Sequence, residues 1–266
     1  MTTALPRAPS EVCLDVVIPV LNEAHVLAKS VAKVRQSLPG LIPCRWRIVI
    51  VDNGSTDGTL DVAHQLEKEY PDVALLHLEQ RGRGRALRYA WTKSPADVVC
   101  YMDVDLSTEL EALPRALRAI LEEGYDVAIG SRLMRGSRTR RCWRREIISR
   151  GYNLLLKLLL NVGFSDAQCG FKVVTREVVD RVVPQVKDQS WFFDTELLVL
   201  SERQGYRIKD IPVVWNEDDD SRVKVLGTAW DDLKGVFRLR RFLCSREFVQ
   251  ATVMHGKVLH GKQVCP

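Results

Sequence analysis

The first half of the chain alternates short apolar runs with longer segments of mixed polarity. Five apolar runs are continuous and rich in β-branched residues: 13–20, 46–52, 73–78, 97–103 and 125–131. Such runs are typical of strands that are covered on both faces. The segments between them have the length and polarity of helices: 23–38, 56–70, 84–94 and 109–124. This alternation predicts an α/β fold with a mostly parallel sheet flanked by helices and right-handed crossovers.

The pattern changes after Arg132. An arginine-rich loop is followed by an amphipathic segment at about 143–161, a polar turn at 163–172, two helix-like pieces and an apolar run at 206–215. The sequence has no internal repeat and no low-complexity linker, so we expect one domain over 1–242. Residues 243–266 have weak periodicity and are expected to form a poorly ordered tail.

Two aspartates stand at the end of the fourth apolar run. Asp103 and Asp105 are two residues apart, and such residues of a strand point to the same face. Ligands bind at the carboxyl ends of parallel strands, where paired carboxylates suit a hard cation such as Mg²⁺ held together with substrate phosphates. Ser107 can add a hydroxyl ligand. The alternative is a solvated strand end, which is the commoner origin of an isolated D-x-D sequence.

A second polar segment, 51–59, follows the second apolar run. Ser55, Thr56 and Asp57 suit the start of a helix, and capping explains them as well as ligand binding does. Asp52 is different, because a carboxylate at the end of this strand caps no evident helix. We therefore expect Asp52 to accept hydrogen bonds from a nucleobase or a ribose.

The charge of the chain is modest overall and uneven along its length. The 266 residues have a formal net charge of +5, yet 132–150 is crowded with arginine and contains one acid, Glu146. This predicts a local anionic partner and no nucleic-acid binding. The segment 143–161 also has an apolar face beside its basic edge, which suits a helix lying in a membrane interface. A helix packed on the sheet is an equally good interpretation.

Several features bear on the location of the protein. No apolar run approaches the roughly 20 residues of a membrane-spanning helix, and the N-terminal residues lack a signal-peptide pattern. The seven cysteines form no C-x-x-C pair, which is typical of reduced, buried thiols in a cytosolic protein. We therefore expect a cytoplasmic protein that is peripheral on the inner face of a membrane, where a membrane-spanning partner protein is one means of attachment.

Five motifs, in this order, resemble the inverting nucleotide-sugar glycosyltransferases of family 2, which have the GT-A fold: VVIPVLNE (16–23), VDNGSTDGT (51–59), RGRGRAL (81–87), MDVDLST (102–108) and GSR (130–132). Later motifs resemble the dolichyl-phosphate β-glucosyltransferase and polyprenyl-phosphate glycosyltransferase branch: DAQCGFK (166–172), WFFDTE (191–196), IPVVW (211–215) and SRVKV (221–225). The likeness covers about residues 14 to 242. No G-x-G-x-x-G or G-x-x-x-x-G-K-[ST] sequence occurs, so dehydrogenase and P-loop functions lose their main support.

The resemblance makes 14–132 the nucleotide-sugar half of the domain. It implies that Asp103 and Asp105 hold the metal with Ser107, and that Asp52 binds the base. It implies contacts with the nucleotide sugar from a larger set of residues: Pro19, Asn22, Glu23, Asp52, Arg81, Gly82, Gly84, Asp103, Arg222 and Lys224. The glycines would let the chain pass close to the nucleotide. Arg222 and Lys224 look like the cations of a loop that closes over the diphosphate.

The resemblance makes 133–242 the half that faces the acceptor and the membrane. It places the chemistry on four residues: Asp105, Arg132, Asp166 and Asp194. Asp166 and Asp194 are rivals for the acceptor-side carboxylate, and stabilisation of a helix start is the simpler role for Asp194 or Glu196. The candidates to hold an acceptor phosphate are Arg138, Arg140, Arg141, Gln168 and Lys172. For any single arginine of this set, a solvated basic face is the simpler explanation.

These residues together imply an inverting, metal-dependent transfer of a hexose from a nucleotide sugar to a polyprenyl or dolichyl phosphate, with Mg²⁺ or Mn²⁺. UDP-glucose is the first choice of donor and GDP-mannose the second. A divalent cation and arginines stabilise the negative charge that develops on a leaving diphosphate. Two alternatives stay open. One is a family relative with a polysaccharide or small hydroxyl acceptor, which needs a carboxylate base; the other is a non-catalytic nucleotide-sugar-binding module at a membrane.

Overall fold

The structure is a computed structural model that describes residues 8–140, 143–216, 225–245 and 248. Its strands are β1 (Cys13–Val20), β2 (Arg45–Asn53), β3 (Val73–Leu78), β4 (Val98–Met102), β5 (Val127–Ser131), β6 (Arg138–Arg140), β7 (Phe171–Thr175), β8 (Ile208–Pro212) and β9 (Val214–Asn216). Its α-helices are α1 (Ala24–Leu41), α2 (Thr59–Glu69), α3 (Arg83–Lys93), α4 (Ala112–Leu121), α5 (Trp143–Leu160), α6 (Arg176–Arg181), α7 (Phe193–Arg203) and α8 (Val225–Leu243). All five predicted strands and four predicted helices of the first half are confirmed.

Seven strands form the main sheet in the order β3-β2-β1-β4-β7-β5-β8. Every neighbouring pair is parallel except the two pairs that β7 makes, with β4 and with β5, which are antiparallel. The prediction of a mostly parallel sheet is therefore confirmed. The strand β7 was not predicted, because its few residues directly continue a polar turn. Since β7 and β8 come from 133–242, both halves of the chain build one sheet.

The sheet separates two hydrophobic cores. Successive residues of a strand face opposite sides, so Val16 and Ile18 of β1 enter one core and Val17 enters the other. Helices α1, α2 and α4 cover the first face, and α3, α5, α6, α7 and α8 contribute to the second. Burial on both faces explains why the predicted strands are continuous apolar runs.

A small parallel sheet of β6 and β9 lies beside the carboxyl end of β4. An isolated bridge joins Thr108 to Trp215, and the backbone N–H of Asn216 donates to the carbonyl oxygen of Ser107 over 2.9 Å. This arrangement places β9 between the arginine-bearing strand β6 and the loop that follows Asp105. The strand was not predicted, because its residues Arg138–Arg140 form part of a charged run.

The helix α5 has one buried face and one exposed face, and contact of the exposed face with a membrane stays a prediction. Leu156 and Leu160 are fully buried in the second core. On the opposite side Trp143, Leu154 and Leu158 are 66%, 58% and 75% exposed. In the part of the chain that the structure describes, no helix is long and apolar enough to cross a membrane.

The cysteines correct one expectation. Cys13, Cys44, Cys100 and Cys169 are free, and all except Cys13 are buried, as expected of reduced thiols. Cys244, just after α8, is disulfide-bonded, so the expectation of reduced thiols throughout the chain is wrong. Spacing along the sequence does not reveal a disulfide, because only the fold brings the Cβ atoms of two cysteines together. The predicted tail at 243–266 falls almost entirely outside the described residues.

Candidate active site

The loops after β1 and β2 are tied together by hydrogen bonds. Asn22 has a left-handed backbone, with φ of 58°. Its N–H donates to Ser55 Oγ over 2.9 Å, and its Oδ1 accepts from the backbone N–H of Thr56 over 2.8 Å. The N–H of Glu23 donates to Thr59 Oγ1 over 2.8 Å. Ser55 and Thr56 therefore fix the position of Asn22, a role that neither capping nor ligand binding describes.

Asp57 follows the capping interpretation. Its Oδ1 accepts from the backbone N–H and the hydroxyl of Thr59 over 3.0 and 2.5 Å. The hydroxyl bond is the main reason that the pKa of Asp57 is lowered. Asp52, in contrast, is fully buried, and its Oδ2 lies 2.8 Å from Nδ1 of His77.

The glycines of RGRGRAL pack against another part of the chain. A side chain on Gly82 would stand 2.5 Å from the carbonyl oxygen of Gln189, and one on Gly84 would stand 2.5 Å from Cβ of Phe193. The start of α3 can therefore lie against the segment that leads into α7. Arg81 is exposed and donates a long 3.4 Å bond to the carbonyl oxygen of Gly54. Contact of these residues with a nucleotide stays a prediction, as it does for Pro19, half-buried in β1.

The D-x-D element forms a tight turn at the end of β4. Asp105 is exposed, and its two carboxylate oxygens accept from the backbone N–H and the hydroxyl of Ser107 over 2.9 and 2.6 Å. Leu106 between them has a left-handed φ of 51°. Asp103 is one-third exposed, and a Cβ on Gly170 would stand 1.7 Å from its Oδ2. The glycine of DAQCGFK therefore makes room for Asp103.

This turn fits a hard divalent cation. Among the described residues no cluster of three or more His, Cys, Asp or Glu side chains is arranged to hold a metal by itself. Two carboxylates and a hydroxyl in one turn are the oxygen ligands that Mg²⁺ or Mn²⁺ accepts when substrate phosphates complete the coordination shell. The donor set thus suits a metal that is bound together with a phosphate ligand.

Arg83 connects the D-x-D element to Asp194 at the start of α7. Its Nη2 donates to Asp103 Oδ1 over 2.9 Å, and its Nη1 donates to Asp194 Oδ2 over 2.5 Å. The guanidinium carbon lies 4.8 Å from the ring centroid of Tyr101 and 5.1 Å from that of Trp191. Two carboxylates and two aromatic faces therefore hold this cation between the two halves of the site.

Asp194 is surrounded by donors. Besides Arg83, its Oδ1 accepts from the hydroxyl of Tyr101 over 2.8 Å and lies 3.2 Å from Nζ of Lys172. Burial by itself raises the pKa of Asp194, but the charges of Lys172 and Arg83 outweigh this effect and lower it. Lys172 is fully buried and also donates to the carbonyl oxygen of Cys169 over 2.9 Å. The structure therefore places Lys172 against Asp194, and its contact with an acceptor phosphate stays a prediction.

Asp166 makes a bidentate ion pair with Arg132. Nε and Nη2 of Arg132 donate to its two oxygens over 2.7 and 2.9 Å, and the N–H of Arg132 adds a third bond of 3.1 Å. Asp166 is fully buried, which raises the pKa, but the charge and hydrogen bonds of Arg132 lower it overall. The guanidinium also lies 4.9 Å from the ring centroid of Trp215. Arg132, one of the four residues on which the resemblance places the chemistry, is thus paired with a carboxylate.

Gln168 links this pair to α8. Its backbone N–H donates to Asp166 Oδ1 over 3.3 Å, and its side-chain Nε2 donates to Asp232 Oδ2 over 2.7 Å. Burial raises the pKa of Asp232 to about 7. The amide of Gln168 is thus engaged with a buried carboxyl group.

Replacing Arg132 with methionine is expected to lower the free energy of unfolding by about 3–5 kcal/mol, because Asp166 is left buried and unpaired. Urea denaturation at pH 7 measures this loss. The exposed Arg138→Met is the matched control and should change stability by less than about 0.5 kcal/mol. The lowered pKa of Asp166 means that its contribution is present above the ordinary carboxyl pKa of about 4 and is lost as the pH falls through the folded-state pKa. This account would be contradicted if the difference in the free energy of unfolding between wild type and Arg132→Met stayed constant on acidification to pH 2.

The remaining predicted cations lie apart from the buried pairs or outside the described residues. Arg138 and Arg140 are exposed on β6. Arg141, Arg222 and Lys224 lie outside the residues that the structure describes. Their predicted phosphate contacts stay predictions.

Sequence reasoning missed four side chains of this region: Arg83, Tyr101, Trp191 and Asp232. Arg83 and Trp191 lie inside motifs that were recognised, but no role was given to them. Tyr101 occupies an apolar run, where a tyrosine is ordinary core. Asp232 carries no sequence signal, because only the packing of α8 brings it to Gln168.

Known proteins resemble this chain in sequence and in structure. Residues 15–183 match the sequence profile of "Glycosyl transferase family 2". The chain is 33% identical over 215 residues to "Glycosyltransferase AglD" of Haloferax volcanii, covering 80% of this chain and 34% of AglD. It is 30% identical over 232 residues to "Dolichyl-phosphate beta-glucosyltransferase" of Saccharomyces cerevisiae, covering 80% of this chain and 70% of the yeast protein. The chain therefore spans about a third of AglD.

The solved structures define the fold. Glucosyl-3-phosphoglycerate synthase from Mycobacterium tuberculosis in complex with UDP superposes with a TM-score of 0.65 at 19% identity, covering 86% of this chain and 80% of that one. The same enzyme with Mn²⁺, UDP and glucosyl-3-phosphoglycerate gives a TM-score of 0.64 at 18% identity. The protein thus has the GT-A fold of glycosyltransferases. With the sequence match over 15–183, the chain belongs to glycosyltransferase family 2, and it resembles the polyprenyl-phosphate branch, as predicted.

Proposed function

We propose that this protein transfers glucose, with inversion, from UDP-glucose to a polyprenyl or dolichyl phosphate. The names of its relatives support the class of reaction and the acceptor. One observation supports a phosphate acceptor in particular: both candidate bases, Asp166 and Asp194, are buried in ion pairs and have a lowered pKa. A hydroxyl acceptor needs a base to remove its proton, whereas a phosphate monoester is largely ionised at neutral pH.

The donor side of the site is proposed to bind a divalent cation and the diphosphate. Asp103, Asp105 and Ser107 would hold Mg²⁺ or Mn²⁺, which when bound stabilises the negative charge that develops on the leaving diphosphate. Asp103 is also bonded to Arg83, so this carboxylate would serve both the cation and the guanidinium. The matched synthase was crystallised with Mn²⁺ and UDP, which supports the choice of ligands.

The acceptor phosphate is proposed to bind on the exposed side of β6. Arg138 and Arg140 are two residues apart on this strand, so they face the same side. Their strand pairs with β9, and β9 connects to the loop after Asp105 through the bridge from Thr108 to Trp215. Arginine suits phosphate because its planar guanidinium donates two parallel hydrogen bonds. Arg132 is proposed to shape this site through its pair with Asp166.

A panel of donors tests the proposed reaction. The full chain is incubated with a polyprenyl phosphate, Mg²⁺ or Mn²⁺, and either UDP-glucose or GDP-mannose, and the lipid-linked product is measured. Glucose transfer to the lipid phosphate is the expected result. Transfer only to hydroxyl acceptors would support the alternative enzyme. If the protein binds the donor but shows neither transfer nor metal-dependent hydrolysis of the donor, the result would support a non-catalytic module.

The surface of α5 and α8 is proposed to rest on the inner, cytoplasmic face of a membrane. Large exposed apolar side chains on these helices recur at helical spacing: Trp143, Ile147, Leu154 and Leu158 on α5, and Trp230 and Phe237 on α8. Lys234 and Arg241 are exposed on the same stripe of α8. A helix with an apolar face and basic residues beside it lies in the interface of an anionic bilayer. A peripheral position would bring the site to the lipid phosphate.

Replacing Leu154 and Leu158 with glutamate is expected to weaken binding to anionic vesicles by tenfold or more, because burying each leucine is worth about 1.5–3 kcal/mol. Sedimentation with phosphatidylserine-containing vesicles measures this. Leu155→Glu with Leu159→Glu is the contrasting pair, since both leucines are half-buried against the second core and their replacement should destabilise the fold. Unchanged vesicle binding by the Leu154 and Leu158 variant would exclude this surface.

A further inference from the structure

The buried carboxylate of Asp52 has one neighbour to which the proposed function gives no role. Asp52 and His77 stand opposite each other in the register of β2 and β3. Nδ1 of His77 lies 2.8 Å from Asp52 Oδ2. The Asp52 side chain has no exposure, whereas that of His77 is 40% exposed. His77 therefore stands between a buried carboxylate and the surface at the carboxyl end of the sheet, where ligands of such sheets bind.

The two oxygens of Asp52 differ in their hydrogen bonds. Oδ2 faces His77 and also accepts a long 3.4 Å bond from the backbone N–H of Ser55. Oδ1 is buried and has no hydrogen-bond partner among the described residues, and the same is true of Oδ1 of the adjacent Asn53. A buried oxygen without a donor is unfavourable, since it has lost its water without replacement. A ligand N–H is the kind of donor that would supply the missing hydrogen bond to Oδ1.

The arrangement limits the number of donors that Asp52 can accept from a ligand. A carboxylate oxygen has two lone pairs, so Oδ2 is filled by His77 and Ser55 while Oδ1 is free to accept. Uracil presents one N–H donor, N3–H, between two carbonyl acceptors. Guanine presents two adjacent donors, N1–H and its 2-amino group, which pair with both oxygens of a carboxylate. A carboxylate with one free oxygen therefore matches the single donor of uracil. With guanine, it would leave one of the two donors unpaired.

We propose that His77 is a positioning residue that occupies Oδ2 of Asp52 and thereby selects a nucleobase with a single N–H donor, such as uracil, over guanine. This inference rests on the proposed function, since it assigns Asp52 to the base of the nucleotide sugar. Given that assignment, it favours a UDP-sugar over a GDP-sugar. If His77 only stabilised the buried carboxylate of Asp52, its replacement would have no effect on which base binds.

Binding of free nucleotides tests the inference without catalysis. The full chain is titrated calorimetrically in Mn²⁺ with UDP, GDP and inosine diphosphate. Inosine diphosphate has the size of GDP but lacks its 2-amino group, so it presents a single donor. Wild type should bind UDP in preference to GDP, and inosine diphosphate in preference to GDP, each by about tenfold to a hundredfold, the effect of one hydrogen bond to a charged group.

Variants of His77 provide the second comparison. His77→Phe removes the ring nitrogen that occupies Oδ2, so that this oxygen can accept a second donor from guanine. The preference for inosine diphosphate over GDP should therefore fall by about tenfold or more. His77→Asn, whose amide can donate from nearly the position of Nδ1, should retain the preference. His64→Phe changes an exposed histidine of α2 and is the matched control. UDP methylated at N3 should lose binding to wild type, a readout that does not depend on the folding of any variant.

The outcomes separate the inference from the function on which it rests. Equal binding of GDP and inosine diphosphate by wild type, an unchanged ratio in His77→Phe, or undiminished binding of N3-methyl UDP would overturn the role of His77 and leave the proposed transfer intact. If wild type binds none of these nucleotides, both the proposed function and this inference fail. Preference of wild type for GDP overturns the inference and points to the second choice of donor.

Discussion

Asp105→Ala is expected to reduce glucose transfer by at least about a hundredfold, while the protein stays folded. The loss is large because the carboxylate is proposed to hold the cation that stabilises the leaving diphosphate, and removal of one such stabilising group typically costs a factor of about 10²–10³. The fold should survive because Asp105 is exposed, and its hydrogen bonds to Ser107 lie within its own turn. Initial rates with UDP-glucose and a polyprenyl phosphate measure the effect.

A second readout separates the metal from other roles of Asp105. Binding of Mn²⁺ in the presence of UDP, followed by calorimetry, should weaken in Asp105→Ala. Asp61→Ala, which removes an exposed carboxylate from the first turn of α2, is the matched control and should leave both activity and Mn²⁺ binding unchanged. Near-normal turnover of Asp105→Ala in saturating Mg²⁺ or Mn²⁺ would show that the metal assignment is wrong.

The arginines of β6 should affect the acceptor more than the donor. Neutralising Arg138 and Arg140 together with glutamine is expected to raise the KM for the lipid phosphate by about tenfold to a hundredfold, because a hydrogen bond to a charged group is worth about 1.5–3 kcal/mol. Binding of UDP should change little. Arg118→Gln, an exposed arginine of α4, is the control and should leave the acceptor KM unchanged.

Asp194→Asn completes this test of the acceptor class. General-base catalysis contributes a factor of about 10²–10⁴ to the rate. If Asp194 were the general base, Asp194→Asn would therefore reduce the transfer rate by a factor of that size. Because Asp194 is held by Arg83, Lys172 and Tyr101, we expect a marked loss of stability and a smaller loss of turnover. Glu196→Gln is the matched control for destabilisation, since Glu196 is also buried on α7 and paired with an arginine, Arg238.

The two sets of variants decide between acceptors. A loss of transfer above about a hundredfold in Asp194→Asn, absent from Glu196→Gln, together with no effect of the arginine changes, would contradict the phosphate acceptor. That pattern would favour a hydroxyl acceptor activated by a carboxylate. The opposite pattern, a raised acceptor KM in the arginine variant and modest loss in Asp194→Asn, supports the proposal.

Local sequence rules located the strand ends of the site well. The D-x-D element, Asp52 and the GSR sequence were placed at carboxyl ends of strands, and β4, β2 and β5 end there. This succeeded because a strand covered on both faces needs a continuous apolar run, so the first polar residues after it mark its end. The family motifs extended these positions to a class of protein, which the sequence and structural matches confirm.

The partners of the charged residues could not be predicted in this way. Lys172 illustrates the reason: lysine is normally exposed, and Lys172 was placed at the end of the polar turn 163–172 and not in a strand. The lysine is buried because Tyr101, more than 70 positions earlier in sequence, and Asp194, more than 20 positions later, supply its hydrogen bond and counter-charge. No local rule contains that information.

The sequence by itself determined the α/β architecture, the family, and the strand ends at which the candidate ligand groups stand, because apolar periodicity and motif spacing are local properties of the chain. Only the tertiary structure decided which charges neutralise one another. It paired Arg132 with Asp166, placed Arg83 between Asp103 and Asp194, and set His77 against Asp52. These pairings depend on distances between residues far apart in sequence, which no local rule contains. In the buried carboxylates Asp166 and Asp194, the paired cations outweigh desolvation and lower the pKa.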